Sequence, residues 1–174
     1  MSNTWILADT HFNHKNIIQY CNRPFSSVEE MNDVLIKNWN NKIAKEDTVL
    51  FLGDFAFGSR EEIIRLGNIL NGKKTIVLGN HDCFQPKVYI DAGFFSITRN
   101  PILYEGRWLL SHEPLFTHIA SPYINLFGHV HNNGMYRTLT PFSGCVCVER
   151  WNYEPIKLEV IQRKVLELRC EDWE

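Results

Sequence analysis

The chain has no apolar run long enough to cross a bilayer, which takes about 20 residues. Its first nine residues, Met1-Ser2-Asn3-Thr4-Trp5-Ile6-Leu7-Ala8-Asp9, carry neither the basic nor the apolar block of a signal peptide. No lysine- or arginine-rich tract is present. With a net charge of −2, this argues against a protein that holds nucleic acid mainly by neutralising phosphates. Linkers, low-complexity tracts and internal repeats are missing too. The five cysteines are odd in number, and Cys145 and Cys147 have no second close pair to complete a zinc site. Buried free thiols, a reducing compartment and a cytoplasmic location are therefore expected.

What remains is an ordinary globular composition. The 174 residues are 44% hydrophobic and 22% charged, enough for a proper core and one domain spanning residues 1–174. Short apolar runs each end in polar turns. Trp5-Ile6-Leu7-Ala8 reads as a strand running into Asp9-Thr10-His11, and His14 follows three residues later. Thr48 to Leu52 is a second strand, ending in Gly53-Asp54. Lys74 to Leu78 is a third, ending in Gly79-Asn80-His81-Asp82. Between them, Ser27 and Glu30 are spaced as a capping box ahead of a helical stripe of Val28, Met31, Leu35, Trp39 and Ile43. Residues 60–70 form an amphipathic helix stopped by Asn71-Gly72. Strand–helix alternation of this kind predicts a parallel α/β sheet, in which ligands bind at the carboxyl ends of the strands.

The second half changes character. Residues 102–104 and 107–110 read as a hairpin around Glu105-Gly106 that delivers Ser111-His112. Tyr123 to Phe127 is a strand ending in Gly128-His129-Val130-His131. Cys145 to Val148, continuing to Tyr153, reads as another strand, and a terminal helix starts near residue 157. Of the seven histidines, five (His11, His81, His112, His129 and His131) directly follow a predicted strand. Imidazoles mixed with carboxylate and amide oxygens suit Mn2+, Fe or Zn2+ better than Ca2+ or Mg2+, which prefer oxygen-only shells.

Taken together, Asp9-x-His11, Gly53-Asp54, Gly79-Asn80-His81-Asp82, His112 and Gly128-His129-x-His131 resemble the calcineurin-like metallophosphoesterase superfamily in order and placement. The strand with Trp151-Asn152-Tyr153 is similar to the closing strand of small bacterial and phage members. The resemblance implies an α/β fold of four layers, an α-β-β-α sandwich with two mixed β-sheets. It also implies two divalent ions: Mn2+ first, with Fe, Zn2+, Co2+ or Ni2+ as alternatives. One ion would take Asp9, His11, Asp54 and His131; the other would take Asp54, Asn80, His112 and His129, with Asp54 bridging. By the same resemblance, a hydroxide activated by the two metals attacks phosphorus. His81 then serves the leaving oxygen as acid, and Asp82 orients His81. Two dications outweigh the carboxylates, so the site attracts a phosphate ester despite the chain's negative charge.

One position departs from the pattern. Many members carry a second Asp three residues after the Gly-Asp acid, often followed by Arg; here Phe57 and Gly58 stand there. Arg23, Arg60 and His14 are the candidates for substrate contacts instead. The expected activity is hydrolysis of a small phosphate ester or nucleotide, with a diester favoured. Alternatives are a phosphomonoesterase, a nuclease, or a scaffold that kept the fold without catalysis. Neither membrane nor, by preference, nucleic acid is an expected partner, and oligomeric state stays open.

Overall fold

The computed structural model describes residues 2–118 and 120–171. In chain order the elements are β1 (Thr4–Leu7), α1 (Ile17–Tyr20), α2 (Val28–Lys42), β2 (Thr48–Phe51), α3 (Arg60–Ile69), β3 (Lys73–Val77), α4 (Pro86–Asp91) and β4 (Phe94–Thr98). The second half adds β5 (Ile102–Tyr104), β6 (Trp108–Ser111), β7 (Ile124–Phe127), β8 (Leu139–Thr140), β9 (Ser143–Cys145), β10 (Ile156–Lys157) and α5 (Leu158–Glu171). Two five-stranded mixed sheets result, ordered β10-β1-β2-β3-β4 and β5-β6-β7-β9-β8. β1 to β4 run parallel with β10 antiparallel at the edge. β6, β7 and β9 run parallel with antiparallel strands on both flanks. The α/β fold with two mixed β-sheets is as the family resemblance implied.

Strand alternation assigns the layers. Trp5, Leu7, Val49, Phe51 and Ile76 meet Met31, Leu35 and Trp39 of α2 and Ile63 and Leu66 of α3. On the opposite face Ile6, Leu50 and Val77 meet Trp108, Leu110, Ile124 and Leu126 of the second sheet. α5 adds Leu158, Ile161 and Val165 to this inner core and touches strands of both sheets. None of the described helices is long and apolar enough to cross a membrane.

Local details correct the sequence reading in three places. Ser27 caps α2 by accepting the Glu30 N–H, but the Glu30 carboxylate turns to the N–H of Ser26, so that box is one-sided. The reciprocal box is Ser59 with Glu62, at the start of α3. The strand expected through Tyr153 stops at Cys145. Residues Val148–Trp151 form a 3₁₀ turn, in which Arg150 N–H donates to the Cys147 carbonyl, and Asn152 and Tyr153 follow with left-handed backbones. The closing strand is β10, paired with β1. The helix α4 and the exposed strand β4, where Phe95 faces solvent, went unread because both are short and weakly patterned.

The topology sets every parallel strand end on one side. There Ala8 accepts from Val148 N–H and donates to the Val146 carbonyl at 3.0 Å, stapling the first sheet to the second.

Candidate metal centre

Asp9 and His11 follow β1, Asp54 follows β2, Asn80 follows β3, His112 follows β6, and His129 and His131 follow β7. Their side chains converge into two nests. In the first, His11 Nε2 lies 3.9 Å from Asp9 Oδ1 and 3.4 Å from Asp54 Oδ2, and His131 Nε2 lies 3.8 Å from Asp9 Oδ1. In the second, His112 Nε2 lies 3.5 Å from the same Asp54 Oδ2, while His112 Nε2 and His129 Nδ1 each stand 2.9 Å from Asn80 Oδ1. One oxygen, Asp54 Oδ2, belongs to both.

Sharp turns aim these groups. Asp9, His11, Asp54, His129 and His131 all have φ between 48° and 69°, the left-handed region that non-glycine residues rarely occupy and that costs on the order of 1 kcal/mol or more each. Cross-bracing holds the strained turns. His11 N–H donates to the Asp54 carbonyl at 3.1 Å, Asp9 N–H to the Gly53 carbonyl at 2.9 Å, and Phe12 N–H to the Phe55 carbonyl at 3.0 Å, so the loops after β1 and β2 run as a pair. Gly53 has φ +88°, and a Cβ there would come within 2.6 Å of Gly79 N and His112 Nδ1. The loops are therefore in backbone contact, which only glycine permits.

The electrostatics point to a cation. Asp9 is fully buried, and its Oδ1 and His11 Nε2 are buried without a hydrogen-bond partner. Burial, then the neighbouring charges of Asp54 and Glu149, push the Asp9 carboxyl well above its usual range. Burial pulls His11 down to about 4, so it stands neutral with a lone pair available. Burial opposes ionisation of Asp54 as well. The His11 and His112 rings, 3.4 and 3.5 Å from its Oδ2, and the His81 N–H on its Oδ1 outweigh it, holding Asp54 at about 2. His112 Nδ1 donates to the Leu52 carbonyl at 2.8 Å, which leaves Nε2 as a lone pair facing the carbonyl-type oxygen of Asn80. Acceptors facing acceptors in this way fit a bound cation.

Several candidates sit elsewhere than expected. Asp82 does not hold the ring of His81. Its Oδ2 accepts from Asp54 N–H and Gly79 N–H at 2.8 Å, and its Oδ1 from Phe55 N–H at 3.1 Å, so it welds the turns after β2 and β3 together. Unpaired backbone N–H groups in that buried corner need an acceptor more than an exposed imidazole does. Arg23 is not a substrate clamp either. It is 4% exposed and donates to the carbonyls of Asp9 and Thr10 and to Glu149 Oε1, the last at 2.6 Å. Arg60 pairs with Asp91 at 3.0 Å at the exposed start of α3, and among the described residues it shares no hydrogen bond with the nests. His14 does join the site: its Nδ1 is 3.3 Å from His11 Nδ1 and its ring stacks on Phe57 at 4.0 Å. Phe57, where a second acid was looked for, packs against the rings of His11, His14 and His81.

Glu149 escaped the sequence reading. It accepts from His131 Nδ1 at 2.9 Å and from Arg23, so it fixes which nitrogen His131 turns toward Asp9. Burial disfavours its charge, but the His131 hydrogen bond and the Arg23 guanidinium win and hold it at about 2. No motif marks it, because it lies 126 positions from Arg23.

A family model described as calcineurin-like phosphoesterase matches residues 2–165. The chain belongs to the calcineurin-like phosphoesterase family. Among relatives of this calcineurin-like phosphoesterase is the uncharacterized protein MJ1445 of Methanocaldococcus jannaschii, 39% identical over 95% of this chain and 92% of that one. The Gene 66 protein of Mycobacterium phage L5 is 42% identical over 47% of this chain and 41% of its own length. Among solved structures, the protein of unknown function AQ665 from Aquifex aeolicus superposes with a TM-score of 0.69 at 28% identity, covering 94% of this chain and 99% of that one. The Pseudomonas putida nuclease MPE shares the fold at a TM-score of 0.50 and 21% identity, over 74% of this chain and 61% of that one. Family membership is consistent with metal-dependent hydrolysis of phosphate esters, and the Asp/His clusters of this member could hold divalent ions.

Proposed function

We propose that this chain is a cytoplasmic phosphodiesterase acting on a small phosphate ester or nucleotide. It takes two divalent ions, Mn2+ foremost: one held by Asp9, His11, Asp54 and His131, the other by Asp54, Asn80, His112 and His129. The observation that carries this reading is the convergence of two acceptor nests on Asp54 Oδ2, with Asp9 Oδ1 and His11 Nε2 buried and unpartnered. When bound, such ions supply Lewis acidity toward a phosphoryl group and lower the pKa of water toward about 7. An odd number of cysteines, free where described, supports a reducing compartment.

His81 is the group this chain itself offers for proton transfer. Its backbone N–H donates to Asp54 Oδ1 at 2.9 Å, tying it to the shared carboxylate. Its exposed ring leans on His11 and Phe57, with centroids 5.4 and 5.3 Å away. From there it reaches the open side of the nests, where a leaving oxygen departs, and donates the proton that oxygen needs. Phe57, rather than Asp82, packs against the ring.

The test is hydrolysis of bis-p-nitrophenyl phosphate against p-nitrophenyl phosphate, with protein stripped of metal and then given Mn2+. Metal-dependent turnover of the diester, lost in His81→Ala with metal content intact, is the expected result. Preference for the monoester would make the chain a phosphatase. Metal binding without turnover of either ester or of an oligonucleotide would leave the scaffold reading in its stead.

A further inference from the structure

Two clefts flank the nests. One, of about 360 Å³, opens off Asn80 and His112 and contains Arg99. The other, of about 450 Å³, opens off His129 and His131 and is lined by Tyr20, Tyr136, Asn132 and Asn133. The second differs in kind. Tyr20 is 70% exposed and Tyr136 38% exposed, a large aromatic area to leave in water beside a polar centre.

Both rings are supported from behind. Tyr20 meets the His14 ring edge-on at 6.2 Å, and Tyr136 meets Phe127 edge-on at 6.3 Å. The floor between them is tied down as well. Asn132 Nδ2 donates to the Cys21 carbonyl at 2.7 Å, one residue past Tyr20, and the Asn133 carbonyl accepts Tyr136 N–H at 3.1 Å. Rings held before a ligand arrives lose little freedom on stacking. A flat ring with a polar edge matches what the cleft offers: aromatic faces for stacking and, for the edge, the amide atoms that Asn132 does not spend on the Cys21 carbonyl and Asn133 does not spend on Met135 N–H.

We propose that this cleft is a subsite for the nucleobase of a nucleotide ester whose phosphate lies at the His129 and His131 side of the centre. The proposal rests on the phosphoesterase reading and names its substrate class. Stacking of a base on an aromatic side chain is worth a factor of roughly 5 to 150 in affinity, whatever the base.

Calorimetric titration of the Mn2+-loaded protein with adenosine 5′-monophosphate and with ribose 5-phosphate tests the subsite, because the two share a phosphate and differ in the base. Turnover of bis-p-nitrophenyl phosphate is measured on the same preparation. The expected result is at least about fivefold tighter binding of the nucleotide. Tyr20→Ala and Tyr136→Ala should each erode that advantage while leaving ribose 5-phosphate and Mn2+ binding unchanged, and Tyr20→Phe should keep it. Equal affinities for the two ligands would overturn the subsite; diester turnover in that same preparation would leave the phosphoesterase reading standing. Loss of both phosphate binding and turnover would overturn both. A single-stranded oligonucleotide at two salt concentrations separates the sources of the base. Affinity that grows with length and falls steeply with salt identifies a strand, and affinity no greater than the mononucleotide's identifies a free nucleotide; either retains the subsite.

Discussion

The nest of Asp9, His11 and His131 and the nest of Asn80, His112 and His129 share the Asp54 carboxylate and little else. In the first, Asp9 and His11 are almost wholly buried. His131 is backed by Glu149, which is in turn neutralised by Arg23, and Arg23 also grips the carbonyls of Asp9 and Thr10. In the second, only His112 is buried; Asn80 and His129 face solvent, next to His81. The first nest is fixed from behind and meets one cleft through His131, whereas the second lines both clefts, through Asn80, His112 and His129. One half is braced because its charges are buried and must be paired; the other is open to solvent.

The most severe way to break the contrast is to remove what the nests share. Asp54→Asn should abolish the anionic bridge, leave less than one Mn2+ per chain by metal analysis, and reduce hydrolysis to the metal-free level. Next in size is His81→Ala. It should cut the rate by about 10²–10⁴-fold, the usual worth of a positioned acid, with both ions still bound; normal turnover would remove His81 from its role. Glu149→Gln should sharpen the contrast. Weakening the partner of a ligating histidine typically lowers metal affinity about 10–100-fold, so the tighter ion should weaken by that factor in a Mn2+ titration while the looser one does not. Equal weakening of both would mean that the two nests are not independently supported.

The smallest effect serves as a control far from both nests. Asp47 is 3% exposed and accepts from Trp5 Nε1 at 2.9 Å and from the N–H groups of Asn3 and Ala44. Burial opposes its charge, but those three donors prevail and hold it below the ordinary 3.8. A carboxyl depressed in the folded state contributes stability that is present above its unfolded pKa and is lost as pH falls through the folded one. Asp47→Asn should therefore cost about 1–3 kcal/mol at pH 7. Thermal melts should show the gap to the native chain closing as pH is lowered beneath 3.8. A gap that persists in acid would assign the loss to packing rather than charge.

Much of the centre was legible in the chain because its groups sit at strand ends, and strands announce themselves by local apolar runs. Asp9, His11, Asp54, Asn80, His112, His129 and His131 were all read that way, and the structure brings all of them together. α2, α3 and the start of α5 were equally plain from helical spacing and caps. The terminal helix expected near residue 157 begins at Leu158, directly after the two residues of β10 that pair with β1.

The sequence by itself determined the family, most of the strands and helices, and the residue types that line the centre, because hydrophobic periodicity and turn chemistry act over a few neighbouring residues. Only the tertiary structure decided what those residues lean on. It turned Arg23 inward to Glu149, gave Asp82 to the backbone of Gly79, Asp54 and Phe55, packed Phe57 where an acid was sought, and curled residues 148–151 so that Glu149 meets His131. Each of these choices satisfies a buried charge or N–H with a partner far away in the chain, and the cost of leaving such a group unpaired is settled only once the interior is closed.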